Sequence, residues 1–171
     1  EIRLVSKEEG GFLGSIRMTE ELAAKINSYL IRWADRNGMP YDDFMIEAQC
    51  PRFASGDAKG LIKSTVRGKD IFILVDVGNY SCTYKLFDRE NYMSPDDHYA
   101  DLKRIIQAAS GKPHRINVIM PLLYGGRQHR RSYRESLDCA FMLQELRDMG
   151  VSNVITVDAH DPRVCNAIPL M

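Results

Sequence analysis

The run Ile71-Phe72-Ile73-Leu74-Val75 leaves this chain few options. It is too short for a buried helix and has no polar alternation, so it reads as a strand covered on both faces, as in a parallel sheet. A turn at Gly68-Lys69 opens it, and Asp76 follows its carboxyl end, where open α/β sheets place their chemistry. Parallel strands need crossover connections, usually helices, and the flanking sequence supplies them. RINVIMPL, over 115–122, predicts a second buried strand, and VSNVITVDAH a third, with Asp158, His160 and Asp161 at its exit. DDFMIEAQCPRFASGD has weaker strand character, broken by Pro51 and a turn at Gly56.

Helical patterns alternate with these strands. In MTEELAAKINSYLIRWADRNG, Thr19 reads as an N-cap, with Glu20 and Glu21 in the first turn. Leu22, Ile26, Leu30 and Trp33 recur near the helical period, and Gly38 stops the element. DLKRIIQAAS predicts a helix ending at Gly111, and SLDCAFMLQELRDMG another with Gly150 as its C′ residue. The polar, aromatic stretch 81–99 reads as a loop or small excursion. The alternation predicts an α/β fold, a three-layer sandwich with a mostly parallel sheet.

At 171 residues the chain suits one domain with a core that needs neither disulfides nor structural metal. Lys plus Arg and Asp plus Glu are 23 each, which argues against a basic nucleic-acid-coating protein and against a disordered acidic chain. No apolar run approaches the roughly 20 residues of a spanning helix. Glu1 opens neither a signal-peptide core nor a translation start, and is read as a boundary of expression or processing. Cys50, Cys82, Cys139 and Cys165 are widely spaced, without a CxxC pair, and are expected as reduced thiols partly in the core.

Two strand exits carry unusual chemistry. After the 115–122 strand, Gly125 and Gly126 open a stretch holding Arg127, His129, Arg130, Arg131 and Arg134. Their mutual repulsion does not favour stability, whereas arginine forks match phosphate oxygens. Glycines let the backbone approach a ligand, and a following helix N-terminus adds positive potential. A solvated charged loop or an inter-subunit salt-bridge surface is the competing reading, and nucleic acid is a third, weakened by the lack of an aromatic stacking platform. At the second exit Asp158 and His160 are two apart and share a side if the strand persists. They suit either a hydrogen-bonded structural pair or a divalent cation, and the nearby arginines favour a metal–polyphosphate site. His98, in SPDDHY, is expected in a polar loop, and His114 exposed. Trp33 and the methionines are expected to pack. Asp57 is either displayed by its glycine turn or merely solvated, and FASGDAKG lacks the spacing of a Walker loop.

The ordered segments RFASGDAKG, STVRGKDIFILVD, VIMPLLYGGRQHRR and ELRDMGVSNVITVDAHDP resemble the N-terminal domain of ribose-phosphate diphosphokinases (phosphoribosyl pyrophosphate synthetases) over roughly residues 45–165. The resemblance implies phosphoribosyltransferase-like topology and a cytoplasmic homo-oligomer with no nucleic-acid or membrane partner. It also implies an ATP- and Mg²⁺-dependent transfer of diphosphate to ribose 5-phosphate, forming phosphoribosyl pyrophosphate. By family role, Arg127 and Gln128 contact ATP, while His160 lies at the phosphates and the metal. Arg130 and Arg131 belong to a loop that closes on the phosphates, and Phe53 and Asp57 to a loop holding adenine from a neighbouring subunit. Residues 1–171 are then expected as the N-terminal domain alone, inactive by itself, with the sugar-phosphate domain absent. Several positions depart from the family pattern: Ser55, Asp57 in place of Glu, His129 in place of Asp, Ser136, Ala159, and a longer 78–99 stretch. These motivate an alternative expectation, a non-catalytic regulatory or scaffolding homologue.

Overall fold

The computed structural model describes residues 2–7, 17–39 and 43–167. Its centre is a six-stranded sheet built from β1 (Ile2–Lys7), β2 (Met45–Gln49), β3 (Leu61–Ile62), β4 (Asp70–Leu74), β7 (Arg115–Ile119) and β8 (Val151–Ile155), in the order β3-β2-β1-β4-β7-β8. Only the β2–β3 pairing is antiparallel; β2, β1, β4, β7 and β8 run parallel. The apolar run 71–75 is therefore a strand of the sheet interior, flanked on both edges. The chain moves from β1 outward to β2, then returns past β1 to β4. That reversal makes a switch point at the carboxyl ends of β1 and β4, where sheets of this kind leave a crevice for ligands.

Period-two alternation along β4 sends its side chains to two different layers. Ile71 and Ile73 face helices α2 (Pro95–Ala109) and α3 (Asp138–Asp148), where Leu102, Ile105, Ile106, Met142, Leu143 and Leu146 complete the main core. Leu74 instead meets Ala23 of helix α1 (Arg17–Arg36), with Phe72, Ile119 and Ile26 around it. Each fully buried Ile or Leu here contributes about 1.5–3 kcal/mol.

Helix α1 corrects two expectations. It begins at Arg17, so Thr19 lies inside its first turn and is not its cap. Its packing stripe runs through Ala23, Ile26, Leu30 and Ala34, while Leu22 and Trp33 are exposed, Trp33 by 55%. The small residue at 23 packs directly on Leu74 of the sheet, and Leu22 and Trp33 lie off this stripe.

The stretch 81–99 is more ordered than a loop. Strands β5 (Thr83–Leu86) and β6 (Arg89–Tyr92) pair as a hairpin, turned by Phe87 and Asp88 at φ 49° and 59°. Two left-handed residues give the primed turn that follows strand twist. Helix α2 then starts earlier than its apolar pattern suggests, because Ser94-Pro95-Asp96-Asp97 builds a capping box. The Ser94 hydroxyl accepts from the Asp97 N–H, and the Ser94 N–H donates to the Asp97 carboxylate at 2.9 Å. This places His98 in a helix and 4% exposed, with Nε2 2.8 Å from the Asn79 carbonyl oxygen, rather than in a polar loop. His114 is exposed as expected and pairs with Asp70 at 3.0 Å. Cys50, Cys82 and Cys139 are buried and Cys165 is exposed, and no disulfide joins them.

Candidate functional site

Three strand exits meet at the carboxyl edge of the sheet. After β4, the Asp76 carboxylate accepts from the Gly78 N–H at 3.0 Å, closing a turn that lies against Leu122 of the next exit. Strand β7 ends at Ile119, short of the expected 122, because Pro121 has no N–H to continue the ladder. The Pro121 carbonyl instead accepts from the backbone N–H groups of Val157 and Asp158, at 3.1 and 2.9 Å, and Leu123 N–H donates to the Asp158 carbonyl. The two charged exits read from the sequence are thus sewn into one edge.

The base of the arginine stretch is rigidly held. Tyr124 stacks on Tyr99 with ring centroids 4.5 Å apart and donates its hydroxyl to Asp96 at 2.6 Å. That acceptor, aided by burial, pushes the Tyr124 phenol up to about 12. Burial raises Tyr99 further still, reinforced by its 2.7 Å hydrogen bond to Glu145. Gly125, at φ 65°, presses against the first turn of α3, where a Cβ would stand 3.2 Å from the Cys139 nitrogen. The Gln128 carbonyl accepts from that Cys139 N–H, and its side-chain amide donates to the Ser136 carbonyl at 2.8 Å, so one residue ties both ends of 129–136. The α3 N-terminus has no side-chain cap from Leu137, and it carries Asp138 in its first turn.

Arg127, Arg130, Arg131 and Arg134 are all exposed, and none forms an ion pair among the described residues. The acids nearest in sequence are engaged elsewhere: Glu135 accepts from Ser132 N–H and Asp138 from the Ser136 hydroxyl. Tyr133, 97% exposed, stands among them. His129 is the exception to this exposure. Its side chain is 11% exposed, Nε2 lies 3.3 Å from Asp161, and its ring sits 5.5 Å from that of His160. Buried His129 Nδ1 has no protein partner among the described residues. Arg163 grips Asp161 through two guanidinium contacts of 2.8 and 2.6 Å and its own backbone N–H, holding that carboxyl well below the usual range.

The structure therefore joins the stretch holding Arg127 and Gln128 to His160 through His129. Strand β8 stops at Ile155, so the shared-side argument for Asp158 and His160 lapses, and no hydrogen bond or ion pair joins their side chains. Both remain exposed. Phe53 and Asp57 lie in a tight loop closed by the Arg52–Ala58 bridge and by Phe53 N–H donating to the Asp57 carbonyl at 2.7 Å. Phe53 is 52% exposed, and Asp57 accepts from the Ser55 hydroxyl. No hydrogen bond, ion pair or ring contact links that loop to the arginine stretch among the described residues. Sequence reasoning missed the His129–Asp161–Arg163 chain, although Asp-x-Arg after a strand was a usable cue for a local turn.

No cluster of three or more His, Cys, Asp or Glu side chains is grouped for a metal ion among the described residues. Mg²⁺ needs no such cage, since it keeps waters and is commonly held by substrate phosphates plus one or two protein groups. Exposed Asp158 and His160 fit that kind of site.

Comparison with known proteins agrees with this architecture. A chain of phosphoribosylpyrophosphate synthetase from Mycobacterium smegmatis superposes with a TM-score of 0.68 at 18% identity, covering 98% of this chain and 45% of that one. Ribose-phosphate pyrophosphokinase 1 of Schizosaccharomyces pombe is 30% identical over 111 residues, 64% of this chain and 24% of its own length. The ribose-phosphate pyrophosphokinase of Fusobacterium nucleatum is 31% identical over 119 residues, 69% of this chain and 34% of its own. The chain thus spans about a quarter to a third of these curated relatives. The family model for the N-terminal domain of ribose phosphate pyrophosphokinase matches residues 12–150, and the chain belongs to that family.

Proposed function

We propose that this chain is the nucleotide-binding half of a ribose-phosphate diphosphokinase, which transfers the β,γ-diphosphoryl group of ATP to the 1-hydroxyl of ribose 5-phosphate. The observation that carries the reading is the joined edge of the sheet: unpaired arginines on one exit, His160 on the other, and backbone hydrogen bonds holding the two exits together. Arg127 and Gln128 contact ATP, and Arg130 and Arg131 neutralise the diphosphoryl charge as it develops. Mg²⁺ arriving with ATP supplies further charge neutralisation. His160 holds and orients that phosphate–metal group and is not assigned as a base. Phe53 and Asp57 receive the adenine of a nucleotide bound to a neighbouring copy, a reading supported by the absence of any hydrogen bond, ion pair or ring contact between their loop and the arginine stretch among the described residues. The sugar phosphate is held by groups outside the family-matched region, so this domain alone does not turn over. The three-layer, phosphoribosyltransferase-like form of the fold belongs to the same proposal, supported by α1 on one face of β4 and α2 and α3 on the other. A cytoplasmic, homo-oligomeric enzyme is the setting; no helix among the described residues is long and apolar enough to cross a membrane.

The test is Mg-ATP binding by titration calorimetry, with diphosphokinase activity of the whole protein, in Arg127→Ala and His160→Ala. Each change is expected to weaken binding about 10–100-fold, as for a lost hydrogen bond to a charged group. Unchanged affinity and activity in both variants overturn the reading. A second reading, a non-catalytic regulatory or scaffolding homologue, is favoured by one observation: the Gln128 amide is already engaged by Ser136 rather than presented to a ligand. Nucleotide binding without formation of phosphoribosyl pyrophosphate selects it.

A further inference from the structure

The β5–β6 hairpin has no place in the scheme above, yet its position is specific. Cross-strand register and period-two alternation put Tyr84 and Leu86 on one face of the ribbon, and Thr83 and Lys85 on the other. Both residues of the first face meet the 52–58 loop. The Tyr84 ring lies under the Arg52 guanidinium, 4.7 Å from its carbon to the ring centroid. The Leu86 methyls surround Gly56, so that a Cβ there would stand 3.5 Å from Cδ2. Arg52 is held from behind as well: its guanidinium contacts Asp101 of α2 at 3.1 Å, and Asp101 is 2% exposed. The loop's entry residue is thus clamped between helix and hairpin, and its tip rests on the hairpin's end. Phe53 lies between these two points of support, half exposed.

We propose that the hairpin is a positioning element for the 52–58 loop, and that Tyr84 and Leu86, through that loop, set how the protein selects the base of its nucleotide. The second part rests on the functional reading in which Phe53 receives adenine. Tyr84 and Leu86 touch no ligand in this scheme; they fix the backbone that presents Phe53. Phosphate contacts, supplied by the arginine stretch, to which no hydrogen bond, ion pair or ring contact joins the hairpin among the described residues, are independent of it.

The experiment uses the intact protein with Tyr84→Ala, Leu86→Ala, Tyr84→Phe and the outer-face control Lys85→Ala. Hydrogen exchange is read at the Phe53 and Gly56 amides, both hydrogen-bonded within the loop. Affinities are read for Mg-ATP and for Mg-tripolyphosphate, a base-free probe. Tyr84→Ala and Leu86→Ala are expected to speed exchange at both amides and to weaken ATP binding by roughly 5–30-fold, as for the loss of one or two kcal/mol. Tripolyphosphate affinity stays constant, while Tyr84→Phe, which keeps the ring under Arg52, and Lys85→Ala behave as wild type. Unchanged exchange in both alanine variants overturns the positioning role whatever the nucleotide result. Faster exchange with unchanged ATP affinity, or equal loss for ATP and tripolyphosphate, overturns the role in base selection. Wild-type protein that binds no ATP overturns the functional reading and base selection with it, and exchange then decides the positioning role alone.

Discussion

Asp101→Ala is the substitution that this fold should tolerate least for its size. The carboxylate is 2% exposed and accepts from Arg52 at 3.1 Å and from Arg104 at 2.8 Å. The two partners are not equivalent. The Arg104 side chain is 27% exposed and can turn to water, so its share is small, as for surface pairs. The Arg52 side chain is 11% exposed and covered by Tyr84, so removing Asp101 strands a guanidinium that cannot readily be rehydrated. Breaking a buried pair by deleting one partner costs about 3–5 kcal/mol, mostly from the charge left behind. The partial exposure of both arginines places this case near the lower end, about 3 kcal/mol. With a urea slope of about 2 kcal/mol/M, the unfolding midpoint should fall by about 1.5 M. The cause is the stranded charge rather than a lost attraction. Replacing Arg52 with Met in the Asp101→Ala background should therefore restore a large part of that loss. Equilibrium urea unfolding followed by far-UV circular dichroism reads all three variants. An Asp101→Ala midpoint within about 0.5 M of wild type, or a double variant no more stable than the single one, refutes the reasoning.

Three further outcomes follow from local geometry. Gly60→Ala should destabilise by about 2 kcal/mol or more in the same unfolding assay, because the added Cβ would overlap the Arg104 carbonyl oxygen and force backbone to move. In an ultraviolet alkaline titration, Tyr124 should ionise near 12. Its folded value is raised, so the stabilisation is complete below the unfolded value of about 10 and is lost as pH rises through the folded one. Tyr124→Phe should delete that late step. A thiol reagent applied to native protein should label Cys165 rapidly and the buried Cys50, Cys82 and Cys139 only on unfolding.

What could be read from the sequence divides along a physical line. The apolar run at 71–75 and the strand beginning at Arg115 were legible because both faces of a parallel strand are covered, which leaves an unbroken apolar signature. Element ends set by one residue's chemistry were less legible: Pro121 cut β7 short, and the Ser94 box extended α2 beyond its apolar pattern. Strand β1 carried no comparable signal. Its place between β2 and β4 is a tertiary fact, fixed by pairing with segments more than 40 residues away. The packing stripe of α1 is not marked by its large residues, because close approach to the sheet selects Ala23, packed on Leu74, and leaves Trp33 exposed. The candidate site was legible as a set of residue types at strand exits. That His129, rather than Asp158, meets His160 could not be read from spacing, since β8 ends before the spacing applies.

A net charge of zero hides two populations of ionic groups, and the difference between them bears on function. Asp70, Asp101, Glu145 and Asp161 each hold a cation within 3.1 Å; the first three contacts join strand to strand, helix to loop and helix to helix, and the fourth closes a local turn. Arg127, Arg130, Arg131 and Arg134 hold none among the described residues. Two like charges a few ångströms apart in water repel by only about 1 kcal/mol, and salt reduces that further, so the fold can carry the cluster. Yet nothing in the folding of the domain calls for it. The structural effort goes instead into holding its ends: Tyr124 locked between Tyr99 and Asp96, Gly125 against α3, and Gln128 bonded to Ser136. Fixed ends around arginines unpaired among the described residues support the proposed site, whose charge a bound anion would complete. A polyphosphate is the anion whose oxygens match several guanidinium forks at once.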